Sequence, residues 1–441
     1  ETVHQGSRSC GRATMGACSS APDVDTSMEG DSCRPRTLEI SSIRRNSCLG
    51  EMKKAKPLRL LILGAGASGK SSLAKQMNHM YGTGYSKLEL EFLTPILYGE
   101  IIRAVQSLIN LMERVAEEKG TSIAMNSKLE DVRIFQEMDS MAERSLSVDL
   151  AAKATAFWTD PDVQEAYAER MHEFDLPEFL AYFLDKAEAI AAPGYVASVG
   201  DYIRSYTRTT GIFDSRLYSR PKFTLVDVGG QRSQRKKWRH CFKEDISAVL
   251  FTVGLSGYHE CLEEDPTTNR LVEALTLYEE VCNAEWSQKA TIFLLLNKRD
   301  VFKERIKRID IRECPALEKF EGDSKNFMET LAYIKDCFLQ RSKNHPDVHC
   351  HATCATDRSD IAMVFRDVSD ATLDQYLKEN FEAKFALGKE VTPKSAPCLL
   401  TTSRASRSSR ESLRARWQAS SYHQEREAAV RSVPLIPENG G

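Results

Sequence analysis

Hydrophobic residues along the chain occur in two patterns, short continuous runs and repeats of three or four residues, which predict strands and helices respectively. The first clear run predicts a strand over Leu58–Leu63, followed by a helix over residues 70–80. Over residues 90–115 the three- and four-residue repeat predicts a long helix that ends at Gly120. Further helical patterns are expected over residues 148–159, 161–174 and 176–190.

The second half of the chain alternates strand-like and helical patterns. Strand-like runs are expected at residues 212–218, 223–226, 248–253 and 291–296, with helices at residues 270–283, 325–341 and 358–385. Strands that alternate with helices favour an α/β fold with a mostly parallel, doubly wound sheet.

The spacing of the first strands indicates a second domain. About 150 residues separate Ser71 from Phe223, whereas a crossover between parallel strands needs on the order of 30 residues. The predicted organisation is a sheet domain made of residues 58–86 and 207–387, interrupted by an inserted all-α domain at residues 87–206.

Both ends of the chain differ in composition from this core. Residues 1–57 are mostly polar with a weak helical tendency, and residues 1–14, which contain no methionine, are excluded from the expected fold. The segment from Met15 to Ser20 fits the N-myristoylation pattern, with Gly16 acylated and Cys18 placed for a palmitoyl chain, or it is a chance match in a polar leader. Residues 388–441 are expected to be a disordered Ser/Arg-rich tail, either solvated or bound to acidic lipid headgroups.

Composition narrows the class of protein without naming one. The chain has 441 residues, of which 28% are charged and 41% apolar, and its formal net charge is −3. It lacks the single-signed charge typical of nucleic-acid binders, so no nucleic-acid partner is expected. The twelve cysteines are scattered without metal-ligand spacing, which suits reduced thiols in the cytoplasm. No apolar run is expected to be long enough to span a membrane.

A phosphate-binding motif follows the first strand. The segment GAGASGKS, from Gly64 to Ser71, matches the pattern G-x-x-x-x-G-K-[ST]. Its glycines let backbone N–H groups converge on anionic oxygens, at the positive end of the next helix. Lys70 is expected to reach the β- and γ-phosphates, and the Ser71 hydroxyl to ligate Mg²⁺. The residues predicted to contact the nucleotide here are Gly64, Ala65, Gly66, Ala67, Ser68, Gly69, Lys70, Ser71 and Ser72.

A second motif, DVGGQ, directly follows the strand-like run at residues 223–226. Asp227 therefore lies at a strand end, where its carboxylate would hold Mg²⁺ through water. Gly230 can present its backbone N–H to a γ-phosphate, and Gln231 is placed to orient the attacking water.

Two later motifs indicate which base is bound. NKRD follows the strand at residues 291–296, and the Asp300 carboxylate can accept two hydrogen bonds from guanine that adenine cannot supply. The Ala355 backbone N–H of TCAT would reach the carbonyl oxygen of the base. The predicted base-binding residues are Asn297, Lys298, Asp300, Cys354, Ala355 and Thr356.

Together the motifs GAGASGKS, RTTGIFD, DVGGQRSQRKKWRHCF, NKRD and TCAT closely resemble those of the alpha subunits of heterotrimeric G proteins, over roughly residues 15–383. The resemblance implies a Ras-like GTPase domain with an inserted helical domain, with GTP or GDP bound and Mg²⁺ as cofactor. It implies a lipid-anchored signal transducer on the cytoplasmic face of the plasma membrane. Its implied partners are a beta-gamma dimer, a seven-helix receptor and an effector. By position, Thr209 would ligate Mg²⁺ with Ser71 and Asp227, and Gln231 would be catalytic.

The chain departs from this family at one ion pair. The arginine that acts in cis normally lies three residues before Thr209, where this chain has Tyr206. The position of its usual glutamate partner is Ala67. Because tyrosine cannot supply the arginine's delocalised charge, slow GTP hydrolysis is expected, unless Arg204 or Arg208 substitutes after a local shift in register.

Two other functions fit part of the motif set. A non-hydrolysing GTP-binding scaffold is favoured by Tyr206 but not by the presence of Gln231, Thr209 and Asp227. An ATP-dependent phosphotransferase would share the phosphate loop but would have no use for NKRD.

The chain continues past about Ala383, where members of the family usually end. These further residues would hinder receptor docking, or they reflect an error in the gene model.

Overall fold

The computed structural model describes residues 57–120, 127–170, 176–219, 221–243, 245–343, 345 and 347–386. The leader with Gly16 and Cys18 and the tail from residue 387 onward lie outside the described residues, so the expectations for them stay predictions.

A mostly parallel sheet forms the centre of the fold. The strands are β1 (Leu58–Leu63), β2 (Ile212–Leu217), β3 (Phe223–Val228), β4 (Ala248–Gly254), β5 (Cys261–Leu262), β6 (Asp265–Asn269), β7 (Thr291–Asn297) and β8 (His349–Thr353). The sheet has the order β2-β3-β1-β4-β7-β8, and β5 and β6 form a separate hairpin. Within the sheet β2 runs antiparallel to β3, and the other pairs are parallel. The predicted α/β, mostly parallel fold is confirmed.

Helices precede, follow and interrupt the strands. They are α1 (Lys70–Tyr81), α2 (Lys87–Lys119), α3 (Ser127–Val132), α4 (Val148–Trp158), α5 (Pro161–Arg170), α6 (Leu180–Leu184), α7 (Ala187–Ala191), α8 (Val199–Arg204), α9 (Arg232–Arg235), α10 (Arg270–Asn283), α11 (Arg299–Arg305), α12 (Phe327–Leu339) and α13 (Arg358–Ala386). Helices α2 to α8 all lie between α1 and β2 in the chain, although no helical pattern was recognised for α3 or α8.

The long helix α2 has clear signals at both ends. The Ser86 hydroxyl accepts the Glu89 N–H at 3.2 Å, while the Glu89 carboxylate accepts the Ser86 N–H at 2.7 Å. The helix ends at Gly120, whose φ of 61° suits glycine. Contrary to the sequence expectation, residues 87–118 are long and apolar enough to cross a membrane, but 56% of that stretch's most apolar part is buried inside the fold. The apolar repeat of α2 therefore serves core packing.

Clusters of buried side chains within the described residues stabilise the fold. One lies among α2 to α7 and includes Ile101, Val105, Phe157 and Phe183. Another lies between the sheet and the helices α1 and α13 and includes Phe223. The inserted helices and the sheet therefore each contain a buried cluster, and the predicted domain division stays a prediction.

The prediction of one helix over residues 176–190 is wrong. The structure divides this stretch into α6 and α7, with a turn at Asp185 and Lys186. Asp185 accepts the indole N–H of Trp158 at 2.7 Å, and Lys186 pairs with Asp201. Because the apolar repeat continues through the turn, periodicity does not reveal the break. The predictions also omit β8, α11 and the hairpin of β5 and β6.

Candidate functional site

Two adjoining cavities lie at the ends of the parallel strands. The larger, of about 510 Å³, is lined by the loop after β1, by α2 and by residues 204–209. The smaller, of about 30 Å³, is lined by the loops after β7 and β8. Gly69 and Ser72 line both. Because carboxyl ends of parallel strands meet at one edge, motifs far apart in sequence come together here.

The loop after β1 requires glycine at two positions. Gly64 has a φ of 144°, and a Cβ there would lie 2.2 Å from the Thr252 carbonyl oxygen. Gly69 has a φ of 90°, and a Cβ there would lie 2.2 Å from Asn297 Nδ2. Ala67 adopts a φ of 55°, which is uncommon for a residue with a side chain. The loop is therefore shaped by close backbone approach, as a phosphate cradle requires.

The Lys70 ammonium group is buried within this loop. Its Nζ donates to the Ala65 carbonyl oxygen at 2.5 Å and to Ser68 Oγ at 3.2 Å. Burial lowers the pKa of Lys70 to about 8, and the nearby Asp227 carboxylate partly opposes this shift. A cation so deeply buried is stabilised by an anionic partner, so the loop suits a phosphate group.

The three predicted Mg²⁺ ligands converge. The hydroxyl oxygens of Ser71 and Thr209 lie 2.6 Å apart, and the Ser71 hydroxyl donates to Asp227 Oδ2 at 3.0 Å. Asp227 Oδ1 is buried without a hydrogen-bond partner, and burial raises the pKa of this carboxyl. Hydroxyl and carboxylate oxygens are the donors that Mg²⁺ prefers, and the unpartnered oxygen is costly without such a ligand. The donor set fits Mg²⁺.

The predicted water-orienting glutamine lies beside the phosphate loop. A Cβ at Gly230 would lie 2.2 Å from Lys70 Nζ and 2.5 Å from the Gly64 carbonyl oxygen, so only glycine fits between them. Gln231 is buried, and its Oε1 accepts a hydrogen bond from Arg208 Nε. The motif after β3 therefore faces the loop after β1.

The two candidate arginines take different positions, although both line the larger cavity. Arg208 contacts Gln231 directly. Arg204 donates to the Gly200 carbonyl oxygen at 3.1 Å, and its guanidinium carbon lies 4.8 Å from the centre of the Tyr182 ring. The structure thus brings Arg208 to the predicted catalytic glutamine, whereas the inserted helices engage Arg204.

The residue at the usual arginine position is held by α2. The Tyr206 N–H donates to the Glu100 carboxylate at 2.5 Å, and Glu100 also pairs with Arg103. The Arg103 guanidinium carbon lies 5.1 Å from the centre of the Tyr206 ring. Glu100 and Arg103 line the cavity although sequence reasoning did not select them. The sequence signal that could have identified Glu100 is a charged residue directly before the apolar pair Ile101 and Ile102 in a predicted helix.

The loops after β7 and β8 meet through Asn297. Its Oδ1 accepts the Ala355 N–H at 2.9 Å, and its Nδ2 donates to the Ser68 carbonyl oxygen at 2.9 Å. Cys354 Sγ lies 3.1 Å from Thr356 Oγ1. All six predicted base-binding residues line the smaller cavity, namely Asn297, Lys298, Asp300, Cys354, Ala355 and Thr356. Asn297 thus joins the base side of the site to the phosphate loop.

Two lysine side chains also connect the inserted helices to this site, one through an ion pair and one through hydrogen bonds. Lys298 Nζ lies 2.8 Å from Glu178 Oε2, in the segment before α6. Lys75 in α1 donates to the carbonyl oxygens of Tyr202 and Ser205 at 3.0 and 2.9 Å. Neither contact was predicted, because each joins segments more than a hundred residues apart.

Comparison with known proteins agrees with this geometry. The family model described as G-protein alpha subunit matches residues 36–372. The guanine nucleotide-binding protein G(o) subunit alpha of Locusta migratoria is 35% identical over 349 residues, which are 78% of this chain and 96% of that protein. The G(o) subunit alpha of Planorbella trivolvis is 35% identical over 341 residues, covering 76% of this chain and 94% of that protein. The chain belongs to the family of G-protein alpha subunits.

Proposed function

We propose that this protein is a guanine-nucleotide switch that binds GDP and GTP with Mg²⁺ in the two adjoining cavities and hydrolyses GTP slowly. The observation that carries the proposal is the convergence of Ser71, Thr209 and Asp227 beside the buried Lys70. Three segments distant in sequence supply oxygen donors at one point, next to a cation suited to phosphate.

The chain's residues have distinct roles in this proposal. Lys70 and the backbone of its loop bind the phosphates, and Asp300 and the Ala355 N–H recognise guanine. Ser71, Thr209 and Asp227 would hold Mg²⁺, directly or through water, and the ion would neutralise charge on the phosphate oxygens. The Gly230 N–H would donate to a γ-phosphate oxygen.

Hydrolysis in this proposal depends on Gln231 and Arg208. Gln231 orients the attacking water, and Arg208, which contacts Gln231 Oε1, supplies cationic charge from the same segment as Thr209. Tyr206 supplies none. In G proteins generally, an arginine that contacts the transferring phosphoryl group raises the hydrolysis rate by about 10³–10⁵. Because Tyr206 occupies the usual position of that arginine, slow GTP hydrolysis is expected.

Single-turnover GTP hydrolysis tests these roles. We expect slow hydrolysis by the full chain, a further loss of at least about tenfold in Arg208→Ala, and faster hydrolysis in Tyr206→Arg. Competition by ATP should leave GTP binding unchanged, because adenine cannot pair with Asp300. Hydrolysis abolished by Arg204→Ala and unaffected by Arg208→Ala would transfer the role to Arg204.

A non-hydrolysing GTP-binding scaffold is the second candidate, and one observation favours it. Glu100 accepts the Tyr206 N–H and Arg103 lies against the Tyr206 ring, so a neutral side chain is held where a cis-acting arginine would supply charge. GTP binding without phosphate release over many hours would support the scaffold. Measurable release that depends on Gln231 would reject it.

Family membership supports proposals about partners and location. We infer that the GDP-bound protein binds a beta-gamma dimer through the helix predicted near the N-terminus and the segment at residues 229–242, and that a seven-helix receptor promotes nucleotide exchange. We also infer attachment to the cytoplasmic face of the plasma membrane through Gly16 and Cys18. Co-purification with a beta-gamma dimer in GDP but not in a GTP analogue, and mass spectrometry of the mature N-terminus, test these two inferences.

A further inference from the structure

An ion pair between a partly exposed arginine and a buried carboxylate joins the loops on the base side of the site. Arg299 Nε and Nη2 donate to Asp360 Oδ2 and Oδ1 at 2.9 and 3.0 Å. Asp360 lies in the first turn of α13 and is 1% exposed. Its Oδ2 also accepts the Cys354 N–H at 2.8 Å. One carboxylate therefore connects the loop after β7, the loop after β8 and the start of α13.

The segment that contains Arg299 depends on such anchors. Lys298, the preceding residue, has a φ of 63°, an unfavourable value that persists only where surrounding contacts hold it. Asn297, on one side, is held by the loop after β8 at 2.9 Å. Arg299, on the other side, is held by Asp360. The backbone that leads into Asp300 is thus fixed from both ends.

We propose that Arg299 and Asp360 are positioning residues whose ion pair holds Asp300 and Cys354 in place around the guanine base and so slows nucleotide release. This inference rests on the proposed function, in which the smaller cavity receives the base. Neither residue lines that cavity, so the pair acts through the loops it joins. Bidentate pairing matters because it fixes direction as well as distance.

Burial of the Asp360 carboxylate makes the position of the two loops depend on the ion pair. Burial raises the pKa of Asp360, and the Arg299 guanidinium opposes that rise. When a buried carboxylate loses its cationic partner, the cost of removing its charge from water is no longer offset. The loops around it must then rearrange. The Cys354 N–H bonds to the same carboxylate oxygen, so the rearrangement reaches the base-binding loop.

The release of fluorescent GDP from the full chain, chased with unlabelled GDP, measures this effect. In Arg299→Lys the charge remains but the bidentate geometry is lost, and in Asp360→Asn the shape remains but the charge is lost. Each variant should release GDP about tenfold faster than the wild type. The matched control is Arg312→Lys, which alters an arginine paired with Asp310 at 2.6 Å outside both cavities and should not change release.

Base discrimination separates positioning from a general loss of stability. Inosine triphosphate lacks the exocyclic amine that would donate a hydrogen bond to the Asp300 carboxylate, so the wild type should prefer GTP. Displacement of Asp300 should remove most of that preference in both variants. A purely structural role would weaken binding of the two nucleotides equally. The double variant should release GDP no faster than either single variant, because all three break one interaction.

Each result decides the question. Release at the wild-type rate, or an unchanged preference for GTP over inosine triphosphate, would overturn the positioning role while leaving the proposed function intact. A wild-type chain that binds no guanine nucleotide would overturn the proposed function first, before any variant is compared. If Asp360→Asn does not fold, Arg299→Lys alone decides, because the Arg299 side chain is 31% exposed and lysine keeps its positive charge.

Discussion

Glu100 links the stability of the protein to pH. It is 5% exposed on α2, and burial raises its pKa from 4.5 to about 7, although Arg103 and the Tyr206 N–H oppose the rise. Between these two values the folded protein holds the Glu100 proton more tightly than the unfolded chain does. The stabilisation is complete below pH 4.5 and is lost as the pH rises through about 7.

The size of the effect follows from the shift. Each pKa unit corresponds to about 1.4 kcal/mol, so the full range amounts to about 3 kcal/mol, of which about 2 kcal/mol falls between about pH 5.5 and about pH 8. Glu100→Gln removes the titration and keeps an oxygen that accepts the Tyr206 N–H. The variant should therefore gain in free energy of unfolding relative to the wild type as the pH rises over this interval.

Denaturant unfolding of both proteins at the two pH values measures the difference, with the same GDP concentration in every sample because bound ligand adds to apparent stability. Glu117→Gln is the control, since Glu117 is exposed on the same helix. Equal changes in the free energy of unfolding for the wild type and Glu100→Gln would refute the reasoning. Such a result would mean that Glu100 is as readily ionised in the folded protein as in the unfolded chain.

Two further predictions concern the site. Asp227→Asn removes the charge opposite Ser71 and should abolish the Mg²⁺ dependence of GTP binding, measured by titration with and without a chelator; unchanged dependence would exclude Asp227 as a ligand. Gly69→Ala places a Cβ 2.2 Å from Asn297 Nδ2 and should abolish binding of fluorescent GDP. Gly194→Ala is its control, because Gly194 also has a positive φ but nothing lies within 4 Å of its Cβ, and binding should persist.

Much of this protein was determined by local sequence. The phosphate loop and most of the strands were predicted because their residues are contiguous, and short-range backbone preferences act within a few residues. Gly64 and Gly69 show this, since a motif that requires a tight turn already contains the residues that permit one. The helix that ends at Gly120 was predicted for the same reason.

Tertiary structure decided which distant side chains meet. The sequence alone gave no reason to prefer Arg204 or Arg208, which lie four residues apart. Tertiary packing places Arg208 on Gln231 and Arg204 beside Tyr182. The burial of Glu100 and its shifted pKa likewise depend on what lies opposite α2. Burial and pairing are properties of neighbours in space, and a linear pattern carries little information about them.

The ion pair of Arg299 and Asp360 shows the same division. NKRD and TCAT identify the base-binding loops from sequence, because each motif is short and follows a strand. The carboxylate that joins those loops lies 61 residues from its arginine, and β7 pairing with β8 brings the two together. The sequence determined the chemistry of each loop, while the sheet determined the distance between them.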